Sequence, residues 1–205
     1  MFIKCCGFQD KGSIATAVKN NVNAIGFITY PKSKRYVTVE EIEMLSKDIP
    51  DFIDIVAVVV NLSLQEIEKL VVNTSINTIQ FHGDESLDFI KTVKAKYPQI
   101  KIYKALPANE ELENKIKTFQ NDVDLLLIDT PSQNYGGTGI SYDWSLLNEI
   151  KDTPFLIAGG INKEKIKQIE LLNLNNAGYD ISSGIETNGK KDSDKIKALL
   201  TYVKG

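Results

Sequence analysis

The sequence predicts an α/β chain closed into a (β/α)8 barrel of the TIM type, a single domain over residues 1–205. Three observations carry that prediction. Short β-branched apolar runs recur eight times along the chain. Most are followed by a segment with apolar residues three and four apart, the spacing that gives a helix one buried face. No Gly/Ser/Pro-rich linker and no shift in composition divides the series. Strands alternating with amphipathic helices form a parallel sheet covered by helices. Such a sheet is either closed or open and doubly wound. Eight regular units without a break favour closure, at the short end of the barrel length range.

The elements follow in order. The first strand is read at Phe2–Cys6, ending on Gly7, and the second at Ala24–Ile28. A helix over "EEIEMLSKDI" comes next, opened by Thr38 and Glu41 at capping-box spacing. The third strand, Ile55–Val60, precedes "LQEIEKLVV", where Ser63 and Glu66 repeat that arrangement. Thr78–Phe81 is the fourth strand and leads into "LDFIKTVKAKY". Ile102–Ala105 is the fifth, with Asn109 read as the N-cap of the helix after it. Leu125–Asp129 and Phe155–Ala158 are the sixth and seventh, and Asn162 caps "KEKIKQIELL". Asp180–Ser182 is the eighth strand, and the last helix runs from Ser193 to Val203.

Composition narrows the function. A formal charge of −3 with lysines and acids interleaved gives no basic face for nucleic acid. The longest conspicuous apolar run, "IVAVVV", is far too short to span a bilayer, so no membrane partner is expected. "MFIKCCGF" lacks the features of a signal peptide, and a cytoplasmic protein is expected. Adjacent cysteines such as Cys5 and Cys6 rarely bridge, because a trans peptide holds their Cα atoms about 3.8 Å apart, below the usual range of roughly 4.4–6.8 Å. No His, Cys and acid residues show metal spacing, and neither a metal nor another cofactor is expected.

In a closed barrel, chemistry belongs at the carboxyl ends of the strands. The unusual residues fall there. Strand alternation puts Lys4 and Cys6 on one face and Cys5 on the other. A lysine ammonium beside Cys6 is expected to lower its pKa, making the thiol a base or nucleophile near neutrality; the alternative is that both cysteines are packing residues. "LLLIDT" ends on Asp129, either a general acid desolvated by an apolar barrel mouth or the start of a turn. "YGGTG", Tyr135 to Gly139, is either a loop that closes over a ligand or a surface turn. "AGGIN" and "ISSG" follow the seventh and eighth strands, where barrels often hold phosphate. Gly159, Gly160, Ser182, Ser183 and Gly184 can supply backbone and hydroxyl donors there. Arg35 is the only arginine among 24 basic side chains. Its planar fork matches a carboxylate or phosphate, against the alternative of a chance surface residue. His82, sharing a turn with Gly83 and Asp84, is either a general base or a hydrogen-bonding strut, and Gln80 should share its face.

Six blocks in register resemble the phosphoribosylanthranilate isomerase family of tryptophan biosynthesis. They are Lys4-Cys5-Cys6-Gly7, Gly26 to Tyr36, Gln80 to Glu85, Asp129 with Tyr135–Gly139 and Asp143-Trp144, Ala158 to Asn162, and Asp180 to Glu186 with Gly189 to Asp192. The resemblance implies an Amadori rearrangement of N-(5-phosphoribosyl)anthranilate to 1-(2-carboxyphenylamino)-1-deoxyribulose 5-phosphate, without cofactor. Asp129 would be the acid that opens the ribose ring and Cys6 the base that removes the C2′ proton. Arg35 would grip the anthranilate carboxylate. Gly159, Gly160, Ser182, Ser183 and Gly184 would hold the phosphate, with Asp180 near the sugar. Lys4, Gln80, His82 and Gly137 complete the expected substrate-binding set. The partner is thus a phosphorylated aminosugar, bound by a monomer or a homodimer. Lys34 stands where the family often has proline, and Cys5 where it more often has an apolar residue. The related isomerase of histidine biosynthesis places an aspartate where this chain has Cys6. A silent phosphate-binding barrel would not need Cys6 and Asp129, and a thiol redox protein would not place its cysteines adjacent.

Overall fold

The computed structural model describes residues 1–129, 147, 150 and 153–205. Eight parallel strands close into a barrel in sequential order. They are β1 (Phe2–Cys6), β2 (Ala24–Ile28), β3 (Asp54–Val59), β4 (Thr78–Phe81), β5 (Lys101–Pro107), β6 (Leu125–Asp129), β7 (Phe155–Ala158) and β8 (Gly178–Ile181). The described helices are α1 (Lys11–Lys19), α2 (Val39–Ser46), α3 (Leu64–Asn73), α4 (Leu87–Lys96), α5 (Leu112–Phe119), α6 (Lys163–Glu170) and α7 (Ser193–Lys204). The expected loop Tyr135–Gly139, with Gly137, and the pair Asp143-Trp144 lie outside the described residues. No described helix is long and apolar enough to cross a membrane.

Strand alternation divides the apolar side chains into two cores. Ile3, Cys5, Ile25, Phe27, Ile79, Phe81 and Ile157 point outward and pack under the helices. Cys6, Ala24, Val56, Val58, Tyr103, Leu127 and Leu156 point inward and fill the barrel. The lower end of the barrel is closed by polar side chains: Asp54 accepts from Lys101 Nζ at 2.7 Å and from the Tyr103 hydroxyl. A repeated device sets register between neighbours there. Asn23, Asn77 and Asp124, each just before an even-numbered strand, accept the amide of Ile3, Ile55 and Ile102 in the preceding strand at 2.7–2.8 Å.

The capping boxes at Thr38/Glu41 and Ser63/Glu66 are both formed, and Asn162 caps α6. Asn109 does not cap α5. Its side chain accepts from Glu111 N, tying off a turn ahead of the helix, and Glu111 occupies the N-cap without a side-chain bond. The eighth strand starts earlier than the expected Asp180, because Gly178 and Tyr179 already pair with β1 and β7. It also ends at Ile181, one residue before the expected Ser182, and its first residue is a glycine, which carries no apolar signal.

Candidate active site

Register places the reactive residues. The β1–β8 pairing sets Lys4 opposite Asp180, and the β1–β2 pairing sets Cys6 opposite Gly26. Lys4 is fully buried, and its Nζ donates to Asp180 Oδ1 at 2.9 Å, with the Cys6 thiol on the same face of β1. Burial alone would lower the lysine pKa, but the Asp180 carboxylate and Cys6 outweigh it and hold the ammonium above its usual range. A Cβ on residue 26 would stand 2.7 Å from Cys6 Sγ and 3.1 Å from Lys4 Nζ, so glycine is what makes room for both groups.

The two thiols part as strand geometry requires. Cys5 is fully enclosed beneath the helices, and burial pushes its thiol up to about 12. Cys6 faces the barrel cavity with 5% exposure. The expected lowering of the Cys6 pKa does not occur: desolvation outweighs Lys4, whose ammonium is shared with Asp180, and the thiol is raised.

Asp129 ends β6 beside Ala158 of β7 and opens on the same cavity, of about 320 Å³. Its side chain is 42% exposed, so the expected dry apolar surround is not present on every side. His82 Nε2 stands 3.6 Å from Asp129 Oδ2, while its Nδ1 meets Gln80 Nε2 at 3.1 Å. With the amide donating to Nδ1, the imidazole proton stays on Nε2, turned towards Asp129. His82 thus lies between Gln80 and the carboxylate, the position a strut would take. Gln80 is buried, and its Oε1 has no partner among the described residues. Beyond His82 and Asp129 a second cavity of about 330 Å³ lies against Leu106, Pro107 and Phe119. His82 and Asp129 line it too, but no thiol does.

On the opposite wall Gly159 and Gly160 both adopt left-handed backbone, with φ +95° and +61°. Glycine backbone of this kind occurs in turns that form a nest for an anion. Ser182 lines the cavity beside them, and Ser183 and Gly184 follow in a single 3-10 turn, Ser183–Ile185. Tyr30, Ser33 and Arg35 close the side above β2, on a loop that folds back so that Val37 N donates to Ile28 O.

Arg35 has a partner that sequence reading missed. Nε and Nη2 donate to Glu186 Oε1 and Oε2 at 2.6 and 2.8 Å. Burial pushes the Glu186 carboxyl up, but hydrogen bonds from Arg35 and Lys191 prevail and hold it down at about 2. The Arg35 stem crosses Gly7, where a Cβ would meet Arg35 Cδ at 2.5 Å; with φ at +83°, that position suits glycine on both counts. Glu186 and Lys191 lay within the quoted motifs. The available signal was a lone arginine in need of an acid. Among the described residues no cluster of three or more His, Cys, Asp or Glu could hold a metal.

Of the expected site, Cys6, Arg35, Gln80, His82, Asp129, Gly159, Gly160, Asp180 and Ser182 all line one cavity. Lys4 is buried on the same inner face of β1, and Ser183 and Gly184, in the turn after Ser182, are not among the lining residues. Fold and site together define a class: a (β/α)8-barrel enzyme with its working cavity at the carboxyl ends of the strands. A family model described as N-(5′-phosphoribosyl)anthranilate isomerase matches residues 3–202. The protein of that name from Staphylococcus carnosus is 55% identical over 205 residues, covering 100% of this chain and 98% of its own. The solved structure of phosphoribosyl anthranilate isomerase from Thermotoga maritima superposes with a TM-score of 0.87 at 30% identity, covering 100% of this chain and 99% of that one. Another, solved in complex with reduced 1-(o-carboxyphenylamino)-1-deoxyribulose 5-phosphate, gives 0.86 at 28% identity, with 100% and 99% covered. The chain belongs to the N-(5′-phosphoribosyl)anthranilate isomerase family.

Proposed function

We propose that the chain catalyses the Amadori rearrangement of N-(5-phosphoribosyl)anthranilate, a step of tryptophan biosynthesis, with Asp129 as general acid and Cys6 as general base. The observation that carries this division is that the two side chains reach one cavity from strands β6 and β1, a cavity that Gly159, Gly160 and Ser182 also line. Asp129 delivers a proton to the ribose ring oxygen, the C1′–O4′ bond breaks, and the anthranilate nitrogen's lone pair forms the C1′=N bond of a protonated Schiff base. Its C2′–H is acidified by the iminium, and Cys6 removes that proton. The enolamine then tautomerises to the ketone.

The raised thiol suits this order of events. A thiol held up by burial yields a stronger base once ionised, and the Lys4 ammonium beside it offsets the thiolate charge. Gly159, Gly160, Ser182, Ser183 and Gly184 hold the phosphate, Asp180 lies near the sugar hydroxyls, and Arg35 takes the anthranilate carboxylate. Gln80 and His82 hold Asp129 towards the ring oxygen, and Gly137 belongs to the substrate-binding set by the family resemblance. The reading includes a cytoplasmic enzyme of one domain, monomeric or homodimeric, each barrel carrying its own Cys6 and Asp129. Purified protein is expected to abolish substrate fluorescence without added metal or nucleotide, and chelator is expected to leave the rate unchanged. A folded protein with no turnover would defeat the assignment.

A further inference from the structure

Arg35 meets Glu186 side-on, through Nε–H and one Nη2–H. A guanidinium carries five N–H donors in a plane. Side-on pairing therefore leaves the end-on fork, Nη1 with the second Nη2–H, without a partner among the described residues. That fork remains available to a ligand carboxylate in the cavity that Arg35 lines.

Glu186 is itself fixed from the other side. It pairs with Lys191 across a short two-stranded ribbon, β9 (Glu186–Thr187) against β10 (Lys190–Lys191). Lys191 Nζ donates to Glu186 Oε1 at 2.8 Å and to the Ser182 carbonyl at 3.0 Å. The Glu186 and Lys191 side chains are almost wholly buried. The chain Arg35–Glu186–Lys191–Ser182 thus joins the arginine to the serine turn beside the glycine nest. Two cations against one carboxylate leave the cluster with a net positive charge. Glu186 therefore orients Arg35 without cancelling the attraction for an anion.

The geometry points to Glu186 as a positioning residue that aims the end-on fork of Arg35 at a substrate carboxylate, and so as a determinant of specificity for carboxylate-bearing aminosugar phosphates. This rests on the reading of Arg35 given above. A long cationic side chain that must be ordered by its ligand binds more weakly than one already ordered, and Glu186 supplies that order in advance. A purely structural clamp between the two loops would affect all ligands of the cavity alike.

The test is calorimetric titration of two ligands: reduced 1-(2-carboxyphenylamino)-1-deoxyribulose 5-phosphate and its phenylamino counterpart lacking the carboxylate. Glu186→Gln is expected to weaken the first about tenfold and the second less than about twofold. Equal weakening of both, or of neither, overturns the inference. Should Glu186→Gln not fold, Glu186→Asp, which keeps the charge and shortens the reach, is judged by the same ratio. Arg35→Lys separates this failure from failure of the underlying reading. If it weakens the carboxylate ligand selectively while the Glu186 variants do not, only the positioning role falls; if it shows no selectivity, Arg35 is not the carboxylate clamp and both fall.

Discussion

Replacing Gly26 by alanine puts a methyl group 2.7 Å from Cys6 Sγ, 3.1 Å from Lys4 Nζ and 3.2 Å from Cys6 Cα. Ordinary contacts between such atoms lie at about 3.5–4.0 Å, so the sulfur must retreat by roughly 1 Å. The backbones cannot separate easily, because Cys6 and Gly26 are partners in the β1–β2 ladder. Retreat therefore falls on the thiol and on the ammonium beside it. A misplacement of about 1 Å in a reacting group costs on the order of 10²-fold in rate. Overpacking of this kind costs about 1–3 kcal/mol, which a domain with some 5–15 kcal/mol of stability survives. The expected variant is folded, with a Tm a few degrees lower and kcat reduced about 10²-fold in the fluorescence assay. A Gly26→Ala protein with kcat within about threefold of the parent would refute the view that this glycine clears the space in which Cys6 works.

Cys5→Ser should keep most of the turnover, since Cys5 packs outside the barrel; a loss as large as that from Cys6→Ser would undo the separation of the two thiols. The same variant tests alkaline stability. Cys5 rises from 9.0 to about 12 on folding, so its contribution is full below the unfolded value and lost as pH climbs towards the folded one. Over that window the parent should lose stability more steeply than Cys5→Ser, and parallel curves would count against it. Because Cys6 is also raised, its alkylation by a small thiol reagent should still be speeding up with pH above about 8.5, and a plateau reached below neutrality would contradict the burial of its thiol. Lys104→Met strips Glu85 of an ion pair at 3.0 Å in which both side chains are buried, and should cost about 3–5 kcal/mol in denaturant unfolding. A cost below about 1 kcal/mol would show that Gly83 N and Asn61 N satisfy Glu85 unaided.

The barrel was legible where physics is local. Apolar runs mark β1 to β7 within a residue or two, and Thr38/Glu41 and Ser63/Glu66 announce their capping boxes because the partners are three residues apart. The split between Cys5 and Cys6 follows from strand alternation alone. What escaped depends on contacts between distant segments. Cys6 is raised because its burial outweighs the Lys4 ammonium, which the β1–β8 register also pairs with Asp180, and nothing near Lys4 in sequence carries that information. Glu186 reaches Arg35 across 151 residues of chain. The role of Gly26 emerges only when β2 lies against β1. Asn109 was misread as a cap because an Asn-initiated turn and a helix N-cap share the same local signature.

Steady-state kinetics of Cys6→Ser and Asp129→Asn on N-(5-phosphoribosyl)anthranilate test the acid–base pair most directly. Each should lower kcat by about 10³ while KM stays within a few fold, since each removes a proton transfer and neither removes the anion nest. Should either variant keep kcat within about tenfold of the parent, the proton would be moving through some other group.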